Sequence, residues 1–182
     1  SDIPIACVGV ISKFNMVFSA ICIGISQGSQ PIWGFNYGAK KYDRVRQAYR
    51  YSVTACTVIA TIFFFCFQIF PHQIVGIFGT GSDLYFQFAE RYLKIFMFMT
   101  FVNGIQPVSS SFFTSIGMAK LGIVMSLTRQ VIFLLPLIII FPLFMGIDGV
   151  MYAGPIADAA AFVLAIVFAR RELGKMRSAE IV

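Results

Sequence analysis

The sequence predicts an all-α membrane protein, a polytopic helical bundle, and three observations lead there. Hydrophobic residues fill 58% of the 182 positions and charged residues 12%, against about 45–50% and about 25% in ordinary soluble domains. Five apolar segments, residues 14–33, 52–70, 93–115, 122–145 and 150–169, each approach the roughly 20 helical residues that cross a bilayer core. None alternates in polarity, and all are about twice as long as the 9–11-residue strand of a membrane barrel. Backbone groups in lipid must be satisfied within their own segment, which leaves helices. A soluble domain of this size could not hide 21 Phe and keep a wet exterior. The composition therefore excludes a water-soluble enzyme, a disordered chain and a nucleic-acid binder of ordinary type.

The first span, 14–33, carries Asn15, Ser19, Ser26, Gln27 and Gln30, with Gly24 and Gly28 four residues apart. A Gly-x-x-x-Gly pair predicts close helix packing on that face, with Gln27 a candidate for a cavity lining. Pro31 lacks an amide donor and loosens the inner end of the span. Asn36 and Gly38 tolerate left-handed backbone and predict the helix stop. Lys40, Lys41, Arg44, Arg46 and Arg50 follow and face lipid headgroups. The second span, 52–70, holds Phe63, Phe64, Phe65 and Phe67, expected against lipid and neighbouring helices. The connection 71–92 has turn signals at Gly79, Gly81 and Ser82 and a lone His72 expected to be exposed.

The third span, 93–115, has the densest polar set. Asn103, Gln106 and Ser110 are spaced i, i+3, i+7 and share one face. Asn103 lies roughly 15 Å below the outer end, near mid-membrane, and Gly104 and Pro107 beside it predict a bend. Two readings stand: a wet substrate cavity, or polar glue between helices. The fourth span, 122–145, contains Arg129, and the fifth, 150–169, contains Asp158. Their levels in the membrane differ by roughly 8 Å, within reach of a long Arg side chain. A structural lock or ion-pathway pair competes with an Arg129 that snorkels inward. The tail, 170–182, is basic.

Placing the 40–50 segment inside also puts the 116–121 turn and the tail inside, with ten of the 14 Lys and Arg. The positive-inside rule then sets the N-terminus outside and the C-terminus in the cytoplasm. Cys7, Cys22, Cys56 and Cys66 sit in apolar stretches with no paired spacing and read as packing residues. No metal, cofactor or nucleophile–base constellation is present in the sequence pattern, so an enzyme is not expected. The chain starts at Ser1 in an apolar stretch and reads as a piece of something longer.

The segment from Gln30 to Ala48, with Pro31, Ile32, Gly34, Asn36, Gly38 and Ala39 in place, resembles a signature of multidrug and toxic compound extrusion transporters. There it ends a helix and opens a cytoplasmic loop. Arg129–Pro136 and Gly146–Ala161, with Pro155 and Asp158, are similar to later stretches of the same family. The resemblance implies half of a twelve-helix, two-lobe transporter of the cell membrane, with the five spans as helices eight to twelve. It implies an antiporter exporting drugs and toxic organic compounds against a coupling cation, H+ or Na+. Its partners would be small organic substrates, the N-terminal lobe and membrane lipids, with no nucleic acid and no cofactor. Family members place ion-binding carboxylates in the first lobe or on the seventh and tenth helices. Residues 93–115, matching the tenth, hold no Asp or Glu, so coupling through the absent half is expected. A lipid-linked saccharide flippase of the same superfamily and a non-transporting remnant or scaffold are the alternatives.

Overall fold

The computed structural model describes residues 3–78 and 83–179. Among them there are eight α-helices and no strand: α1 (Ile3–Gly38), α2 (Tyr42–Ile69), α3 (Pro71–Phe78), α4 (Asp83–Phe96), α5 (Ile105–Ser115), α6 (Ala119–Leu127), α7 (Leu135–Met145) and α8 (Ile147–Ala179). A 3-10 turn, Thr100–Val102, separates α4 from α5, and a π-helical stretch, Thr128–Leu134, joins α6 to α7. Four helical runs are long and apolar enough to cross a membrane: Cys7–Gly38, Tyr42–Ile69, Ala119–Met145 and Ile147–Ala179. The expected third span is not one of them, because it is broken in the middle. The connection 71–92 is also richer than its turn signals suggest, since α3 and most of α4 occupy it. The turn residues Gly79, Gly81 and Ser82 lie outside the described residues.

α1 runs through Pro31 and stops later than Asn36. The residue that leaves the right-handed region is Lys40, with φ 58°, not Asn36 or Gly38. Lys41 N–H donates to the Asn36 carbonyl (2.8 Å) and Lys40 N–H to the Tyr37 carbonyl (3.0 Å). These two bonds form a Schellman ending, whose left-handed position usually holds glycine. The α5–α6 turn repeats the motif with Gly117 at φ 85°, where Met118 N–H reaches the Phe113 carbonyl and Gly117 N–H the Thr114 carbonyl. Asn36 is buried and its Nδ2 donates back to the Ile32 carbonyl (2.8 Å).

Two apolar clusters hold the bundle. The first joins α1, α2, α5, α6 and α8 through Trp33, Tyr49, Phe112, Met125 and Met176. Trp33 meets Phe112 edge-on at 5.6 Å, and Tyr49 lies 4.7 Å from Phe112. Such pairs add about 0.5–1.5 kcal/mol each beyond area burial. The Tyr49 hydroxyl is 2.8 Å from Ser109 Oγ, pinning α2 to α5 in the buried interior. The second joins α1, α2, α3, α4 and α8 through Cys7, Ile11, Phe67, Val75, Leu93 and Met151. His72 has a partner: its Nδ1 lies 2.6 Å from Glu90 Oε1. Cys7, Cys22 and Cys56 are buried packing residues and Cys66 is exposed. α7 buries none of its side chains in the lobe, and Leu143 and Phe144 are 77% and 82% exposed, the pattern of a lipid-facing surface.

The Gly24–Gly28 pair does not mark a close contact here. A Cβ at either position would meet nothing within 4 Å. Close approach falls instead at Gly104, where a Cβ would sit 2.9 Å from the Cys56 carbonyl oxygen, and at Gly149, where it would sit 2.5 Å from the Phe141 carbonyl carbon. Left-handed backbone costs a side-chain-bearing residue about 1 kcal/mol relative to glycine. Lys40→Gly is therefore expected to raise stability by about that amount, read as a higher midpoint of thermal unfolding in detergent.

Candidate functional site: a polar cavity at a broken helix

The break between α4 and α5 has local causes. Pro107 offers no amide to the carbonyl one turn before it, at Asn103. Gly104 lets the chain press against the α2 backbone at Cys56. The bonds through the break run i to i+3: Thr100 N–H to Met97 O, Val102 N–H to Met99 O and Asn103 N–H to Thr100 O, each 3.1 Å. Gln68 Nε2 from α2 caps the Lys94 carbonyl at 3.0 Å. Non-helical backbone at membrane depth is tolerated where such partners exist or where it lines a cavity.

The π-helical stretch is the second irregularity. The Pro136 ring would clash with the Ile132 carbonyl in a regular turn, and Pro136 cannot donate. The helix widens instead, and Leu135 N–H bonds to the Gln130 carbonyl, five residues back. Arg129 lies on this widened turn.

Both irregular segments converge on one carboxylate of α8. Arg129 Nε donates to Asp158 Oδ1 at 2.5 Å, and Asn103 Nδ2 donates to Asp158 Oδ2 at 2.8 Å. The side chains are 16% exposed at Arg129 and 2% at Asp158. The ion pair envisaged from the sequence is thus formed in the lobe, with Asn103 as a third member.

A cavity of about 270 Å³ opens beside this group. Asn103, Gln106 and Ser110 line it from α5 and the break before it, as do Ser126, Arg129 and Gln130 from the α6–π segment and Asn15, Ser19 and Cys22 from α1. The same polar side chains also join helices. Gln106 Nε2 donates to the Met125 carbonyl (2.6 Å) and Ser110 Oγ to the Gly122 carbonyl (2.8 Å). Cavity and glue therefore coexist on one face, since Gln106 and Ser110 both bond a neighbouring helix and border the space.

Gln27 stands apart: it is exposed on α1 and is not among the lining residues. The signature residues Pro31, Gly34, Asn36 and Gly38 lie on the last turns of α1, away from this cavity. Gly34 has a packing reason, since a Cβ there would lie 3.2 Å from the Ser115 carbonyl oxygen of α5. Asn15 and Ser19 belong to the cavity although the packing reading covered span one. Their i, i+4 spacing was the available signal. No group of His, Cys, Asp and Glu among the described residues could hold a metal ion.

The sequence model of the MatE family matches residues 1–147. The chain belongs to the MatE family. The Staphylococcus aureus multidrug export protein MepA is 22% identical over the whole chain, which spans 40% of that protein. The Bacillus subtilis probable multidrug resistance protein YoeA is 28% identical over 91% of the chain and 37% of its own length. The MATE multidrug transporter DinF-BH, solved as a complex with a small molecule, superposes with a TM-score of 0.83 at 34% identity, over 90% of this chain and 36% of that one. The chain thus spans about two-fifths of the length of these MatE relatives. It is a multi-pass membrane protein with the fold of part of a helical transporter.

A buried charge left alone costs about 3–5 kcal/mol, whereas removing both partners of a pair is far milder. Arg129→Leu alone should lower the thermal midpoint in detergent sharply. Combining Arg129→Leu with Asp158→Leu should recover most of the loss. Equal losses in the single and double variants would show that the pair does not hold the lobe.

Proposed function

We propose that this chain is the C-terminal lobe of a multidrug exporter. Small organic substrates leave the cell through a path between this lobe and an N-terminal lobe, with H+ or Na+ moving the other way. The polar cavity beside the broken helix carries this reading. In repeat-built transporters, substrate sites lie near the membrane midplane at discontinuous helices. Here Asn103 is in the break itself, and Gln106 and Ser110 follow it on the same wall. The names of the MepA and YoeA relatives support export of drugs as the activity. Asp158 is engaged by Arg129 and Asn103, and α5 contributes no acid. That supports a coupling cation bound mainly by the other lobe.

The test uses the transporter that contains this lobe, expressed in an efflux-deficient host. Gln106→Leu should lower drug efflux by roughly fivefold to tenfold while membrane levels stay near normal. Efflux and membrane level falling in step would favour the glue role alone.

The orientation follows the basic segments, with the N-terminus of the chain outside and the tail in the cytoplasm of a cell-membrane protein. In a background with Cys66→Ser, the variant Asp83→Cys should react with an impermeant thiol reagent in intact cells. Lys175→Cys should react only after permeabilisation. The reverse pattern would invert the topology.

A further inference from the structure

Arg129 does more than hold Asp158. A guanidinium has five N–H donors in a rigid fork. Arg129 uses Nε on Asp158 and one Nη1 hydrogen on Gln130 Oε1, at 3.1 Å. Three donors are left without a partner among the described residues. Arg129 also lines a second cavity, of about 350 Å³. Gln130 and Asn15 border both spaces. The rest of the second cavity is mostly apolar, with Val8, Ile11, Phe96, Leu134, Ile138 and Val150 around it. Among the described residues, neither lining contains an Asp or Glu. A guanidinium with spare donors thus stands at the polar end of an apolar space, and no lining carboxylate competes for it.

From this geometry we infer that Arg129 is the head-group anchor for an amphiphilic organic anion, whose apolar body lies in the Val8–Ile138 cavity. The head group is an oxyanion such as a carboxylate or sulfonate, bound through the unused edge of the fork. Asp158 is then a positioning residue, fixing the guanidinium plane so that this edge faces the cavity. A purely cationic amphiphile finds hydrogen-bond acceptors here, while the one nearby carboxylate, Asp158, is already engaged by Arg129 and Asn103. This assignment rests on the reading of the cavity wall as a substrate path and names the class of substrate that this lobe's wall selects.

The experiment titrates the purified transporter that contains this lobe, in detergent, with a fluorescent aryl carboxylate bearing a short alkyl chain, and with its methyl ester, following fluorescence anisotropy. The acid should bind roughly tenfold more tightly than the ester, as expected for a charge-assisted contact in a partly desolvated site. The main variant is Gln130→Glu. It keeps the shape of an exposed side chain but turns the amide already bonded to Arg129 Nη1 into a carboxylate, whose negative charge offsets the guanidinium. It should abolish the preference for the acid over the ester. The double variant Arg129→Gln with Asp158→Asn, which removes both charges together, should do the same. If that variant does not fold, Gln130→Glu decides alone. Equal affinity of acid and ester in the unaltered protein, or equal losses of both in Gln130→Glu, would overturn the anchor while leaving the substrate path in place. Binding of neither compound would remove the path as well.

Discussion

The lobe depends on one requirement: two helices are broken inside the membrane, and their freed groups must find partners there. α4–α5 unwinds between Met97 and Gly104, and the helix after α6 widens to a π turn before Pro136. Each break is tolerated because backbone and side-chain donors close it locally, as Gln68 does at Lys94. Asp158 then ties both breaks to α8 through Asn103 and Arg129. Removing water from that carboxylate is costly unless its oxygens are engaged, and each oxygen has a donor. Two irregular segments and one straight helix are thereby held in register at a single point.

Around that point the packing divides by depth. The aromatic cluster of Trp33, Tyr49 and Phe112 and the cluster of Phe67, Leu93 and Met151 stabilise the two ends. The middle is left to polar contacts and space. Ordinary core packing there would fill the cavity, and lipid-facing apolar residues could not satisfy the broken backbone. The division explains why Gln106 and Ser110 both bind neighbouring carbonyls and border the cavity.

Much of the fold is legible in the sequence because lipid imposes a strict length and polarity on helices. The long runs at α1, α2 and α8 and the bend at Gly104 and Pro107 follow from that pattern. So do the shared face of Asn103, Gln106 and Ser110 and the reach of Arg129 to Asp158. The helices α3 and α4 are hidden because Pro71 and the charged residues near Glu90 read as a connection. They are short amphipathic pieces whose partner faces lie on other elements. The left-handed turn falls at Lys40 rather than at Asn36 or Gly38, because hydrogen bonding over six residues, not local preference, selects the position. Gly24 and Gly28 show the opposite limit. A small-residue pair states that a helix can be approached closely, and it does not state that anything in the same lobe does so. Gln27 stands outside the cavity for a rotational reason, since Asn15, Ser19 and Cys22 define a stripe on α1 that it does not share.

α8 gives the lobe a lever. Pro155 interrupts its hydrogen-bond ladder three residues before Asp158, so the helix has a natural hinge beside the carboxylate that anchors it. From Asp158 to Arg177 the helix continues without another proline, a stiff arm of about 28 Å at 1.5 Å per residue. A rotation of about 10° at the hinge would swing its far end by about 5 Å on that arm. Small rearrangements around Asp158 would thus be magnified at the basic tail, where the swing becomes a displacement large enough to change which lipid headgroups Arg170, Arg171 and Arg177 can reach.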